Sequence, residues 1–465
     1  MKILLVQVGT QYTRDGKIID EPIIVEHSLP LGILYLGQVL EQENYEVEYF
    51  DHAVADISVD KLSKWIVKND FNIVGLTVLT ATFITAVKIA QKLKSLNKNI
   101  IVVFGGPQAT ICHDKIMEKY KSVDFCVRND GEYTFLNLIK HIESNKPVSD
   151  VRGITYRENG KVKYTENAGL IDDLDKLSFP DRKVLTDKHK YMMSGLISPI
   201  ITTRGCPYNC KFCTCHIIYK RRVRFRSVRN VVDELIYLES EGFKEIMIVD
   251  DCFTLKPKRV EKICELIKKE NIDLKWHSLA RTNLGGLNMY RQMATAGCTT
   301  VLFGFESATQ RILDYYNKQI TPDLAIKSIK KVRKANIPNI SGGFIIGAPT
   351  ETFKEIVNTI KFGLKLNISI LQFQILNITP GTLIYKEFIE KGWINDETDW
   401  EGSIPAPDIC PTAVPKKILN KLIENATKRL LTNPRRIFRD YYNFIRNEYQ
   451  SRYIRGLLKS ITNRI

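Results

Sequence analysis

The chain has 465 residues and a formal net charge of +16, with 44% hydrophobic and 26% charged residues. That length allows two or three domains, each burying a core of its own, and the balanced composition excludes a fibrous, low-complexity or disordered protein. No apolar run reaches membrane-spanning length, and the opening Met1-Lys-Ile-Leu-Leu-Val-Gln-Val lacks the small-residue cleavage site of a signal peptide, so a cytoplasmic protein is expected.

In chain order, residues 2–8 form an apolar run that predicts a buried parallel strand. A polar loop follows, and 29–40 reads as a helix with Pro30 in its first turn. Residues 45–51 alternate as a strand, which completes a β-α-β start. Strands at 73–78, 100–104 and 124–127 then alternate with a helix over 86–96 and another after Gly131-Glu132. Such alternation predicts an open, doubly wound parallel sheet, and these sheets take ligands beyond the carboxyl ends of their strands. Thr77, Thr80, Gly105, Gly106, Pro107 and Glu132 fall there. Glycine turns of this kind more often serve tight geometry than a cofactor, so the pattern alone names no ligand. Between 146 and 195 lies an expected connector, with a small hairpin turning at Asn159-Gly160 and an extended link at Leu177-Ser-Phe-Pro180-Asp.

The next stretch carries the chemistry. A β-branched run over 196–203 leads into Arg204-Gly205, and Cys206, Cys210 and Cys213 follow in one short loop. Three thiolates there can converge on one face of a 4Fe–4S cube and leave its fourth iron open to a ligand. The competing readings are half a zinc site or coincidence, but zinc wants four ligands, and neither Cys215 nor His216 has the usual spacing. Past the loop, Ser227 can cap a helix starting at Val228. Strands are expected at 245–251, 274–281, 300–307, 340–349 and 370–377. With the strand before the loop they make six β/α units, a partial barrel over 196–390, whose strand ends gather Asp250, Asp251, Arg281, Glu306 and Gly347. Structural alternatives stand beside these: Asp251 as a helix cap, Arg281 and Glu306 as a buried ion pair, Gly347-Ala-Pro349 as a plain turn.

Cys206-x-x-x-Cys210-x-Phe212-Cys213, behind its strand, resembles the cluster loop of the radical S-adenosylmethionine (SAM) superfamily. The resemblance implies a 4Fe–4S cluster on the three cysteines and SAM chelating the open iron. It also implies SAM contacts from Phe212, Asp250 or Asp251, Arg281, Glu306, Ile345 and Gly347. The stretches Pro30-Leu-Gly-Ile-Leu-Tyr-Leu, Val74-Gly-Leu-Thr-Val, Phe104-Gly-Gly-Pro107 and Asp130-Gly-Glu132 resemble the cobalamin-binding domain at the N-terminus of one class of that superfamily. That resemblance extends the set of implied cobalamin residues to Thr10, in the loop after the first strand. The Asp-x-His-x-x-Gly motif of methionine synthase and the mutases is absent from this loop, so no histidine is expected beneath cobalt. Domains are therefore expected at 1–145, 146–195, 196–390 and 391–465.

Two basic stretches remain. Tyr219-Lys-Arg-Arg-Val-Arg-Phe-Arg226 reads as a solvated loop or as a site for an anion. Residues 416–465 hold thirteen Lys or Arg against three Asp or Glu, and 434–446 spaces its apolar residues as an amphipathic helix that packs on the barrel or touches an anionic membrane. Too few aromatics interleave with the charge for a nucleic-acid platform. Ten cysteines without a framework spacing indicate a reducing compartment, and Cys410 alone follows Cys298, so no auxiliary cluster is expected. The family resemblance implies a cobalamin-dependent C-methyltransferase reduced by an external donor such as flavodoxin or ferredoxin. Its substrate would be a peptide side chain, lipid, tetrapyrrole or natural product. The alternatives are a radical cyclase, lyase or carbon–carbon coupling enzyme whose first domain holds substrate, and a non-catalytic iron–sulfur or zinc protein.

Overall fold

The computed structural model describes residues 1–9, 29–55, 57–186 and 197–433, together with the backbone of 12–14 and 17–19. The first domain is a seven-stranded sheet: β1 (Lys2–Gln7), β2 (Glu46–Asp51), β3 (Ile73–Thr77), β4 (Ile101–Gly105), β5 (Phe125–Val127), β6 (Ile154–Glu158) and β7 (Lys161–Tyr164), in the order β2-β1-β3-β4-β5-β6-β7. The first five strands are parallel, and Ile3 to Val6 of β1 are at most 1% exposed, as a central strand covered on both faces requires. Helix α1 (Leu31–Glu41) begins one residue after Pro30. Pro30 is its cap and not part of its first turn: its ψ of 83° is non-helical while its carbonyl takes the first helical bond, from Leu34 N at 3.4 Å. Gly37 lets α1 lie against β2, because a Cβ there would collide with the Tyr49 ring.

The hairpin expected in the connector is part of this sheet. Its strands β6 and β7 continue the sheet antiparallel, with Cys126 opposite Thr155. Burial explains the addition, since Ile154, Thr155 and Tyr156 cover the edge that β5 would otherwise leave open.

The second domain matches the expected six units. Its strands β8 (Ile197–Ile200), β9 (Glu245–Ile248), β10 (Lys275–Ala280), β11 (Cys298–Glu306), β12 (Asn339–Ile346) and β13 (Ile370–Ile375) are all parallel and lie in sequence order. Between them run α2 (Val228–Ser240), α3 (Pro257–Lys269), α4 (Leu287–Thr295), α5 (Pro322–Lys334) and α6 (Phe353–Lys365). Ser227 caps α2 through Asn230 N at 3.2 Å, as its position led us to expect.

The chain after β13 ties the two domains together. Asn377–Ile378 pairs with Ile404–Pro405, and between them Trp400 enters the core of the first domain, 2% exposed, beside Phe83 (5.3 Å) and Tyr120 (6.5 Å). Gln108 Nε2 donates to the Trp400 carbonyl at 2.8 Å. Helix α7 (Leu383–Glu390) supports the cluster loop, and α8 (Lys416–Leu431) buries Leu419 and Ala426 against the barrel. The amphipathic segment expected over 434–446 lies outside the described residues. No helix among the described residues is long and apolar enough to cross a membrane.

Candidate functional site

The cluster loop is held at its entrance by the two carboxylates that end the β9 connection. Asp250 accepts from Thr202 N (2.6 Å), Thr203 N (3.0 Å) and Thr202 Oγ1 (2.5 Å), so both of its oxygens are spent on the chain leaving β8. Asp251 Oδ2 accepts from Gly205 N at 3.0 Å. Gly205 has φ +97°, and a Cβ there would collide with the Arg222 carbonyl, which makes glycine obligatory. The structure thus places Asp250 as a buried anchor of the loop. Asp251 also braces the loop, and does not cap a helix.

Within the loop, Cys213 N donates to Cys210 O (3.0 Å). Lys211 N donates to Tyr316 O (3.0 Å), and its carbonyl accepts from Ile384 N of α7 (3.2 Å). The Cys215 thiol, whose own pKa is raised, is a hydrogen-bond neighbour of Cys206 and Cys213. That contact is the main cause pulling Cys206 down to about 7 and holding Cys213 below the ordinary thiol value. Burial pushes Cys210 up, against the pull of Lys318 and Arg281. Arg281 Nη1 lies 3.7 Å from Cys210 Sγ, and its guanidinium stacks 3.7 Å above the Tyr208 ring. Two thiols held below the ordinary value, and a third beside a buried cation, fit the ligand chemistry of an iron–sulfur centre. No group of three or more His, Cys, Asp or Glu among the described residues is arranged to hold a single metal ion.

The barrel mouth collects most of the other expected residues. Arg281 is 6% exposed and bonds Asn283 through Nε (3.1 Å), while its Nη2 is buried without a partner. Glu306, at φ +62°, pairs with Lys318 at 2.6 Å and not with Arg281. Phe212 meets Tyr316 edge-on at 5.3 Å and shares a small apolar core with Ile345. Gly347 has φ +84°, and a Cβ there would press on Leu419 of α8 at 2.7 Å, so it serves a turn and a helix contact together. Gly347 N and Ala348 N donate to Glu351 Oε2 at 2.7 and 3.1 Å. Burial raises the Glu351 carboxyl to about 7. Lys318 and Glu351 were missed from the sequence. Only the placing of Glu351 four residues after Gly347 offered a hint.

Where the two domains meet, a cavity of about 230 Å³ opens beyond the carboxyl ends of β3, β4 and β5. Thr77, Gly105, Gly106, Pro107 and Glu132 line it as expected, joined by Tyr35 and, from the barrel side, Ile201, Arg204 and Tyr219. A Cβ added at Gly32 or Gly105 would meet nothing, so these glycines keep a slot wide that larger residues would fill. Thr80 stands away from it and bonds Gln108 at 2.8 Å, and Thr10 lies outside the described residues. No histidine lines the cavity among the described residues. Both ring nitrogens of His52 are engaged, with Gly9 N (3.3 Å) and Ile57 O (2.9 Å).

Arg204 joins the two sites. Its Nη2 reaches Glu132 at 2.5 Å, its Nη1 reaches Asp130 at 3.2 Å, and it lies 5.5 Å from the Tyr35 ring. Arg224 also pairs with Asp130. Burial opposes ionisation of Asp130, but the two guanidinium groups hold its carboxyl below the usual range. Glu132 Oε2 remains without a partner. The basic run over 219–226 is thus divided: Arg224 and Arg226 are buried in ion pairs with Asp130 and Glu234, while Lys220, Arg221 and Arg222 are exposed.

The family model of the Radical SAM superfamily matches residues 200–363, and that of the B12 binding domain matches residues 26–139. Over 464 residues the chain is 33% identical to the protein named "Uncharacterized methyltransferase PH0819" from Pyrococcus horikoshii, covering 99% of this chain and 98% of that one. It is 27% identical over 447 residues to the anaerobic magnesium-protoporphyrin IX monomethyl ester cyclase of Rubrivivax gelatinosus, covering 93% and 78%. Among solved structures it resembles the radical S-adenosylmethionine methyltransferase TsrM of Kitasatospora setae. With tryptophan and a SAM analogue bound, TsrM gives a TM-score of 0.70 at 18% identity, over 84% of this chain and 76% of that one. With cobalamin and a [4Fe-4S] cluster bound, it gives 0.68 at 18% identity, over 84% and 75%. At that identity the likeness is one of fold.

Proposed function

This chain belongs to the radical SAM superfamily, in the branch with a B12 binding domain ahead of the barrel, and from that premise we propose that it methylates an unactivated carbon, with cobalamin as methyl carrier. The observation that carries the reading is Arg204. It stands two residues before Cys206, pairs with Glu132 in the cavity of the first domain, and so sets the two sites against each other across one interface. When bound, the cluster and cobalamin supply a 5′-deoxyadenosyl radical from SAM and a methyl group for the carbon that radical activates.

Cys206, Cys210 and Cys213 would hold the cluster, and the slot at Gly32 and Gly105 would admit cobalamin. Arg281 has a buried, unpartnered Nη2 beside the cluster loop, suited to the SAM carboxylate. Phe212 and Ile345 form the apolar wall suited to adenine. Asp250, Asp251 and the Lys211 backbone fix the loop before any ligand arrives, so binding costs little ordering. Relatives named as tetrapyrrole cyclases keep ring formation as the second reading, and product analysis separates the two.

The test is anaerobic reconstitution. The reading expects cobalamin absorption to persist through gel filtration, and 5′-deoxyadenosine formation to be abolished by Cys206→Ala, Cys210→Ala or Cys213→Ala. SAM cleavage that survives these substitutions, or protein that takes up no cobalamin, contradicts it.

A further inference from the structure

The proposed reaction consumes electrons, and the side of the cluster loop from which they enter is marked by charge. Cys210 is buried, whereas Cys206, Pro207, Tyr208, Asn209 and Cys213 are partly exposed, so the loop shows one rim to solvent. Beside that rim the exposed half of the 219–226 run turns outward. Lys220 and Arg221 both adopt left-handed backbone, at φ 49° and 61°, and Arg221 Nε donates to the Pro207 carbonyl at 3.0 Å. An exposed cation is thus hydrogen-bonded to the residue next to a cluster ligand. Lys386 is exposed on α7, and that helix is tied to the cluster loop where Ile384 N donates to the Lys211 carbonyl at 3.2 Å.

Acidic side chains do not neutralise this group. Arg222 is matched by Asp172 at 2.5 Å, and Lys211 and Lys391 share Glu387 at 3.3 and 2.7 Å. Glu390 follows Lys386 by one turn of α7. Lys220, Arg221 and Lys386 enter no ion pair among the described residues. Unpaired cations on a surface gain little stability for the fold, and their field instead raises the encounter rate with a partner of opposite sign.

We propose that Lys220, Arg221 and Lys386 form the docking surface for a small, acidic one-electron carrier that reduces the cluster. This rests on the radical SAM reading above. One electron leaves the reduced flavin or iron–sulfur centre of the carrier and arrives on the oxidised cluster, and no bond forms or breaks. Complementary charge brings the carrier to the partly exposed rim at Pro207, and steering of this kind falls steeply with ionic strength.

The experiment is stopped-flow reduction of the reconstituted full-length protein, followed by bleaching of cluster absorption. The donors are flavodoxin hydroquinone and dithionite, a small reductant that needs no docking surface. Wild type is compared with Lys386→Glu and with Lys220→Glu/Lys386→Glu, neither of which touches the Arg221–Pro207 bond. The expected result is at least a tenfold slower reduction by flavodoxin in the double variant, a flattened salt dependence, and dithionite rates and iron content as in wild type. Equal flavodoxin rates in wild type and variant overturn the proposal, as do flavodoxin and dithionite rates that fall together. A wild-type cluster reduced by dithionite but by neither flavodoxin nor an acidic ferredoxin overturns it too. A wild type that assembles no cluster contradicts the function reading and not the docking surface.

Discussion

The cluster loop and the domain-interface cavity are built in opposite ways. The loop is local: three thiols within eight residues, with a glycine and two carboxylates bracing the entrance. The cavity is composite: its walls come from α1, β3, β4 and β5, from the start of the cluster loop, and from Ile218 and Tyr219 beyond it. A local site tolerates change elsewhere in the fold and fails when one ligand is lost. A composite site fails when the domains shift, even with every lining residue intact.

The largest effect should follow from removing one sulfur. Cys206→Ala, Cys210→Ala and Cys213→Ala should each abolish stable cluster, measured as iron and sulfide content, while cobalamin binding survives. Next, Trp400→Ala should destabilise the protein by about 3–5 kcal/mol in urea unfolding, the usual cost of emptying a buried aromatic site. Because Trp400 joins the chain after the barrel to the core of the first domain, this variant should lose cobalamin before it loses the cluster.

A sharper version fills the slot without moving a domain. Gly105 has open space where a Cβ would go, so Gly105→Val should fold normally and bind cobalamin at least tenfold more weakly, read by absorption titration, with cluster content unchanged. Conversely, Arg281→Gln alters only the loop side. Loss of the cation 3.7 Å from Cys210 Sγ should make the cluster harder to reduce, lowering the reduced fraction at a fixed donor potential several-fold by EPR, while cobalamin binds as before.

The smallest effect concerns pH. Glu351 ionises near its ordinary 4.5 when unfolded and at about 7 when folded, so the folded chain keeps a proton that the unfolded chain has lost between those values. Its contribution to stability is therefore present below about pH 4.5 and is lost as pH rises towards 7. Glu351→Gln should remove that slope from denaturant midpoints measured at pH 5 and pH 8.

The same contrast governs what the sequence disclosed. Cysteine spacing is a short-range property, and the six barrel strands announce themselves by apolar runs ending in polar residues. The hairpin over 154–164 read as a connector because nothing local says which edge a strand will join. Asp250 and Asp251 were expected at the strand end and stand there. Their partners depend on how 202–205 folds back, which no period in the sequence encodes. Trp400 reaches the first core from about 300 residues away, and Lys318 takes Glu306 from Arg281 out of a segment that carries no motif or strand signal.

The central claim is that three cysteines leave one iron free for SAM. It is tested most directly by pulsed EPR on the reduced, reconstituted protein with SAM carrying an ¹⁷O-labelled carboxylate. Hyperfine coupling of the label to the cluster is the expected result. A cluster signal unchanged by the label, with all irons held by side chains, would contradict it.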